Sequence, residues 1–157
     1  MSLLDDVSIV VTPNGYKAGE LYAVIPVPTE GAELVTNGNF ATDSDWTKGT
    51  GWTISGGVAS SNGTQTVTSP IYQDCGIVLG TRYQVVYTVT SYTSGSVRIY
   101  LGGTSTGAVS RTSTGTYTQE FNALGNQWVT LEADASFIGS IDNVSVKEYT
   151  SADMDVT

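Results

Sequence analysis

Among the side chains that could do chemistry are those of residues 96–101, SVRIYL, where Arg98 and Tyr100 share one phase of a two-residue period and Val97, Ile99 and Leu101 share the other. A strand with this alternation turns its aliphatic phase to a core and its Arg–Tyr phase outward. A flat ring beside a guanidinium suits a polyhydroxylated ligand, because aromatic rings stack on CH faces while guanidinium, amide and carboxylate groups hydrogen-bond hydroxyls. Arg82 and Gln84 occupy the corresponding phase of residues 82–89, and Tyr72 with Gln73, Tyr92, and the pair Tyr117 and Gln119 are candidates for the same surface. Trp46, between Asp45 and Thr47, is the best candidate for an exposed aromatic in a loop, the alternative being that it packs under the loop, whereas Trp52 and Trp128 are expected in the core. Each residue taken singly also fits an ordinary amphipathic surface or cross-strand pair.

Catalytic chemistry is harder to assemble. The 157 residues contain no histidine and one cysteine, Cys75, which excludes Ser-His-Asp and Cys-His nucleophilic sites, histidine metal clusters and an intramolecular disulfide framework. Asp43, Asp45, Glu120, Glu132 and Asp134 are scattered carboxylates, and nothing in their spacing sets two of them across a cleft as glycoside hydrolysis requires. Gly102-Gly103 lacks the lysine and helix of a phosphate loop. A net charge of −9 repels nucleic acid phosphates and anionic membranes, so neither is an expected partner. Residues 1–11 have no basic start and are acidic where a signal peptide is apolar, so no secretory signal or membrane span is expected.

The elements that must hold these residues read as strands. Gly, Ser, Thr and Tyr abound, charged residues make up only 13%, and no stretch keeps a helical period for ten residues. Short strands are expected at residues 51–55, 57–60, 64–69, 82–89, 96–101, 116–121, 128–133 and 140–147, separated by turn residues, which is the pattern of an antiparallel β-sandwich or jelly roll. Residues 102–115 form a polar connection expected to be mobile. Residues 1–32 differ: apolar runs at 7–11 and 21–27 around the turn signal Thr12-Pro13-Asn14-Gly15 suggest an extended arm or hairpin, followed by a domain over 33–149 and a polar exit over 150–157. Ile141, Val144 and Val146 are core residues out of step with a two-residue period, so a bulge is expected at Asp142-Asn143, leaving Asp142 toward the interior or the sheet edge.

The motifs ELVTNGNF (33–40), Gly51-Trp52-Thr53 and IDNVSVK (141–147), in that order, resemble carbohydrate-binding modules of the galactose-binding-like jelly-roll type, the group that includes families 4, 9 and 22. The resemblance covers about 117 residues, 33–149. It implies an all-β antiparallel sandwich, glycan binding without catalysis, a core role for Phe40, and a structural calcium ion at the closing Asp142. Ala41 stands where that family places an acidic ligand. Two readings follow: calcium held by Asp142 with oxygens near Asn39 or with Asp43, or a cation-free Asp142 capped by hydrogen bonds. For the glycan, Trp46, Tyr72, Arg98, Tyr100, Tyr117 and Gln119 are the expected contacts. The flanks carry a second resemblance. Residues 3–26, LLDDVSIVVTPNGYKAGELYAVIP, are similar to the leader of tailed-bacteriophage structural proteins, and SADMDVT (151–157) is similar to its continuation. This implies a virion protein (head fibre, capsid decoration or tail appendage) docked to capsid or tail proteins through residues 1–30, oligomeric, assembled in the host cytoplasm and presented on the particle surface. The alternative is an extracellular glycan-binding module of a larger secreted polysaccharide-degrading enzyme.

Overall fold

The computed structural model describes the backbone of residues 15–17 and 20–22 and the full chain over residues 28–150. β1 (Gly15–Lys17) and β2 (Glu20–Tyr22) form an antiparallel hairpin with Lys17 opposite Glu20. The turn signal at 12–15 was expected to reverse the chain, but Gly15 itself begins a strand and reversal comes after Lys17. Residues 7–11, 23–27 and 151–157 lie outside the described residues. The sandwich is a separate unit, Glu30–Thr150, where the sequence placed the boundaries at 33 and 149.

Ten strands build it: β3 (Thr29–Glu33), β4 (Thr47–Lys48), β5 (Trp52–Ser55), β6 (Val58–Asn62), β7 (Ser69–Ile77), β8 (Arg82–Ser94), β9 (Val97–Leu101), β10 (Gly115–Asn122), β11 (Gln127–Ala133) and β12 (Ile138–Thr150). One sheet has the order β10-β8-β12-β6-β5, with β3 also pairing β12; the other has the order β4-β7-β11-β9. Every resolved register in them is antiparallel. Among the described residues there is no helix, so the chain is all-β as expected.

The alternations read from the sequence become the two walls of the core. Tyr83, Val85, Tyr87 and Val89 of β8 and Ile141, Val144 and Val146 of β12 are buried from one side, and Ile71, Val97, Ile99, Leu101, Val129 and Leu131 from the other. Burying this apolar surface between two sheets is the main stabilising term. The irregularity in β12 is a bulge between Asp142 and Ser145, with Asn143 in the left-handed region at φ 54°. It keeps both Ile141 and Val144 inward. Asp142 pairs with Thr88, one step out of phase with the buried pair Ile141 and Val89, so it belongs to the outer face; the inward reading of Asp142 is corrected.

Residues 64–68, expected as strand, form a loop instead. Asn62 Oδ1 accepts from the Thr64 amide (3.0 Å) and hydroxyl (2.8 Å), turning the chain after β6. Buried Gln65 then donates to the carbonyls of Asp134 (3.1 Å) and Phe137 (2.8 Å), satisfying backbone acceptors that a strand would have paired in a ladder. The connection over 102–114 is fastened as well: Arg111 exchanges backbone hydrogen bonds with Val97 (2.8 and 3.1 Å), and Gln119 donates to the Gly107 carbonyl (2.6 Å).

Candidate functional site

The outer face of the four-stranded sheet gathers the side chains with the most suitable chemistry. Register sets them in rows across the strands. Thr47 (β4) opposes Tyr72 (β7), Tyr72 opposes Thr130 (β11), and Thr130 opposes Tyr100 (β9). The next row is Pro70, Glu132 and Arg98, and on the other side Trp128 opposes Asp74. At about 4.8 Å per strand the central row is roughly 14 Å long, the length of a short oligomeric ligand rather than of one small molecule.

The two ends of this face differ. At one end the rings of Tyr72 and Trp128 meet edge-to-face, 6.0 Å between centroids, and Trp128 is 41% exposed. At the other, Arg98 Nε donates to Glu132 Oε1 at 2.9 Å and Nη2 reaches the same oxygen, while the Tyr100 hydroxyl donates to Glu132 Oε2 at 3.1 Å. Burial first, and then the Glu132 carboxylate, push the Tyr100 phenol up to about 12, so it remains a donor throughout the neutral range. Glu132 is held from both oxygens in one orientation. Beside it, Asp134 accepts from Ser96 Oγ (2.7 Å) and from the Ser136 amide (2.8 Å). A cavity of about 130 Å³ opens among Thr68, Ser96, Arg98, Ser110, Glu132 and Asp134. Stacking rings at one end and fixed donors and acceptors at the other can hold a ligand that is apolar on its faces and polar on its rim.

Of the residues expected from sequence, Tyr72, Arg98 and Tyr100 come together here. Trp46 does not: it is only 6% exposed, its ring lies 5.2 Å from Phe40, and its Nε1 donates to the Asn37 carbonyl at 3.1 Å. Asn37 causes this. Its amide donates to the carbonyls of Thr42 (2.8 Å) and Ser44 (3.1 Å), winding the loop over the indole. Gln73, also buried, exchanges hydrogen bonds with Thr36 (2.8 Å each way) and donates to the Asp45 carbonyl (3.1 Å), clamping that loop to β7. Tyr117 and Gln119 are on β10 in the other sheet, where Tyr117 packs against Tyr87 (5.7 Å) and beneath the Arg111 guanidinium (4.5 Å). Arg82 and Gln84 are on β8, also in that sheet; Arg82 pairs with Glu120 and sits 5.7 Å over the Tyr149 ring. Tyr92 donates to the Gly95 carbonyl at 3.0 Å.

Sequence reasoning missed Trp128, assigned to the core, and gave Glu132 no binding role. The signal was present: Val129, Leu131 and Ala133 are the inward phase of β11, which leaves Trp128, Thr130 and Glu132 together on the other.

The residues named for calcium do not make a cage. Both Asp142 carboxylate oxygens accept from Asn143, from its amide at 2.6 Å and its side chain at 3.1 Å. Asn39 Oδ1 accepts from the Ala41 amide at 3.3 Å. Among the described residues no three acidic, histidine or cysteine side chains converge, and calcium needs six to eight oxygens. Cys75 is half-buried, and burial above all pushes its thiol up to about 11.

No family model and no curated protein matches the chain. Solved structures do. A family 4 carbohydrate-binding module aligns at 16% identity over 72% of this chain and 98% of its own length, with a TM-score of 0.51. A family 61 module in complex with beta-1,4-galactotriose aligns at 14% identity over 75% and 99% (TM-score 0.48), and a family 29 module at 15% over 83% and 97% (TM-score 0.49). The match to the family 4 module, together with the two antiparallel sheets, gives the sandwich the jelly-roll fold of that carbohydrate-binding module.

Proposed function

We propose that the sandwich is a non-catalytic glycan-binding domain whose contact surface is the outer face of the four-stranded sheet. The observation that carries this reading is the juxtaposition, on one open face, of the Trp128–Tyr72 ring pair with the Arg98–Glu132–Tyr100 hydrogen-bonded cluster. A pyranose offers CH patches for the rings and hydroxyls for the cluster. Affinity electrophoresis through gels containing a panel of polysaccharides tests it. Retardation by at least one polymer is expected, and retardation by none would remove the proposal.

We further propose that the module is displayed on a bacteriophage particle, with residues 1–30 as its attachment to capsid or tail proteins. The likeness of residues 3–26 and 151–157 to phage structural leaders supports this placement. The fold agrees equally with a module carried by a larger secreted polysaccharide-degrading enzyme. Antibody labelling of intact particles in electron micrographs separates the two: particles bearing the epitope in regular positions favour the virion, and a secreted polypeptide carrying it on a catalytic domain favours the enzyme.

A further inference from the structure

We propose that this face selects uncharged glycans and rejects uronic and other anionic ones, and that Glu132 with Asp134 enforces the choice. The inference rests on the glycan-binding reading and adds to it the chemical class of the ligand. A guanidinium on an exposed sheet would ordinarily be the anchor for a sugar carboxylate, because its planar fork matches two oxygens. Arg98 serves that role poorly here. Its Nε and Nη2 both engage Oε1 of Glu132, whose side chain is only 15% exposed; the Arg98 side chain itself is 36% exposed, so what remains open to a ligand is its Nη1 edge, beside a carboxylate that already neutralises it.

The charges around it have one sign. Asp74 stands on the row of Trp128, Glu132 on the row of Arg98, and Asp134 lines the cavity beside that pair. Among the described residues the sheet carries one further cation, Lys48 of β4, and it is paired with Asp43. A ligand carboxylate set against Arg98 would thus meet Glu132 and Asp134 at once, with one positive charge among two negative ones. Neutral hydroxyls suffer no such penalty: they can donate to carboxylate lone pairs that Arg98, Tyr100, Ser96 and the Ser136 amide leave open. The net charge of −9 acts in the same direction at longer range.

The test uses matched polymers that differ in charge: hydroxyethylcellulose against carboxymethylcellulose, and methyl-esterified against de-esterified pectin, run with a broader neutral panel at low and high salt. The 157-residue chain should be retarded by neutral polymers at least about tenfold more strongly than by charged counterparts at low salt, with the gap narrowing as salt screens the repulsion. Two variants move the ratio in opposite senses. Glu132→Gln combined with Asp134→Asn releases Arg98 and should bring the ratio close to one or reverse it; Arg98→Gln leaves the carboxylates unopposed and should widen it. Circular dichroism before each run establishes that the variants are folded. Equal or stronger retardation by the charged member of a pair, or a ratio indifferent to both variants, overturns the selectivity while leaving glycan binding intact. Retardation by no polymer at all removes the glycan-binding reading and the selectivity with it.

Discussion

Replacing Trp128 separates a binding face from an accident of packing, because the ring is neither core nor free. It is 41% exposed and braced by Tyr72 at 6.0 Å. An aromatic side chain of this size presents at most about 250 Å², so the open part is on the order of 100 Å². A sugar covering half of it takes about 50 Å² from water, about 1.2 kcal/mol at ~25 cal/mol per Å². Trp128→Ala should therefore weaken retardation close to tenfold. The covered part of the ring, about 150 Å², sets an upper bound of about 4 kcal/mol on the stability cost by the same coefficient. Affinity electrophoresis or calorimetry against a retarding polymer reads the first quantity, and chemical denaturation the second. The reasoning fails if binding is undiminished in a folded Trp128→Ala.

Three further outcomes are expected. Trp46→Ala should lose about 3–5 kcal/mol, as for a buried aromatic, and change retardation only through unfolding; a folded variant with selectively lost binding would return Trp46 to the site. Tyr100 is pushed up to about 12 and Cys75 to about 11, from ordinary values of 10.0 and 9.0, so both hold their protons more tightly in the folded chain. The stability they contribute is intact below those ordinary values and is lost as pH rises through the folded ones. Tyr100→Phe should flatten a denaturation profile between about pH 10 and 12 and leave the fall between about pH 9 and 11, and a profile unchanged by the substitution contradicts this assignment. The melting temperature should be the same in EDTA and in millimolar calcium, since Asp142 is already occupied by Asn143; a calcium-dependent rise would reinstate a metal there.

The sandwich was legible because its strands obey the period that burial imposes. Val97, Ile99 and Leu101 could face only inward, so Arg98 and Tyr100 had to face out, and the three-residue step from Ile141 to Val144 announced its bulge. Wherever a side chain does the work of the backbone, the reading failed. Gln65 and Gln73 are polar residues at positions a pattern would leave to solvent or to a ladder, yet both are buried because each satisfies carbonyls of a distant loop. Trp46 disappears under such a loop for the same reason: Asn37 reproduces with its amide the hydrogen bonds a neighbouring strand would have made.

Pairing across strands was the other hidden quantity. Tyr117 and Gln119 look interchangeable with Tyr72 and Arg98 in the sequence, but β10 pairs with β8 rather than with β11, and there they oppose the buried Tyr87 and Val85, on the inward phase of Phe121. The same ambiguity hid Trp128. Judged by size it belongs in a core; judged by the phase of Val129, Leu131 and Ala133 it belongs outside with Glu132. Phase prevails, because shifting β11 by one residue to bury the indole would drive Leu131 and two smaller apolar neighbours into water and bring Glu132 into the core without a partner. The exposed tryptophan thus follows from the cost of burying the carboxylate two positions beyond Thr130, and the two halves of the candidate face are fixed by a single register.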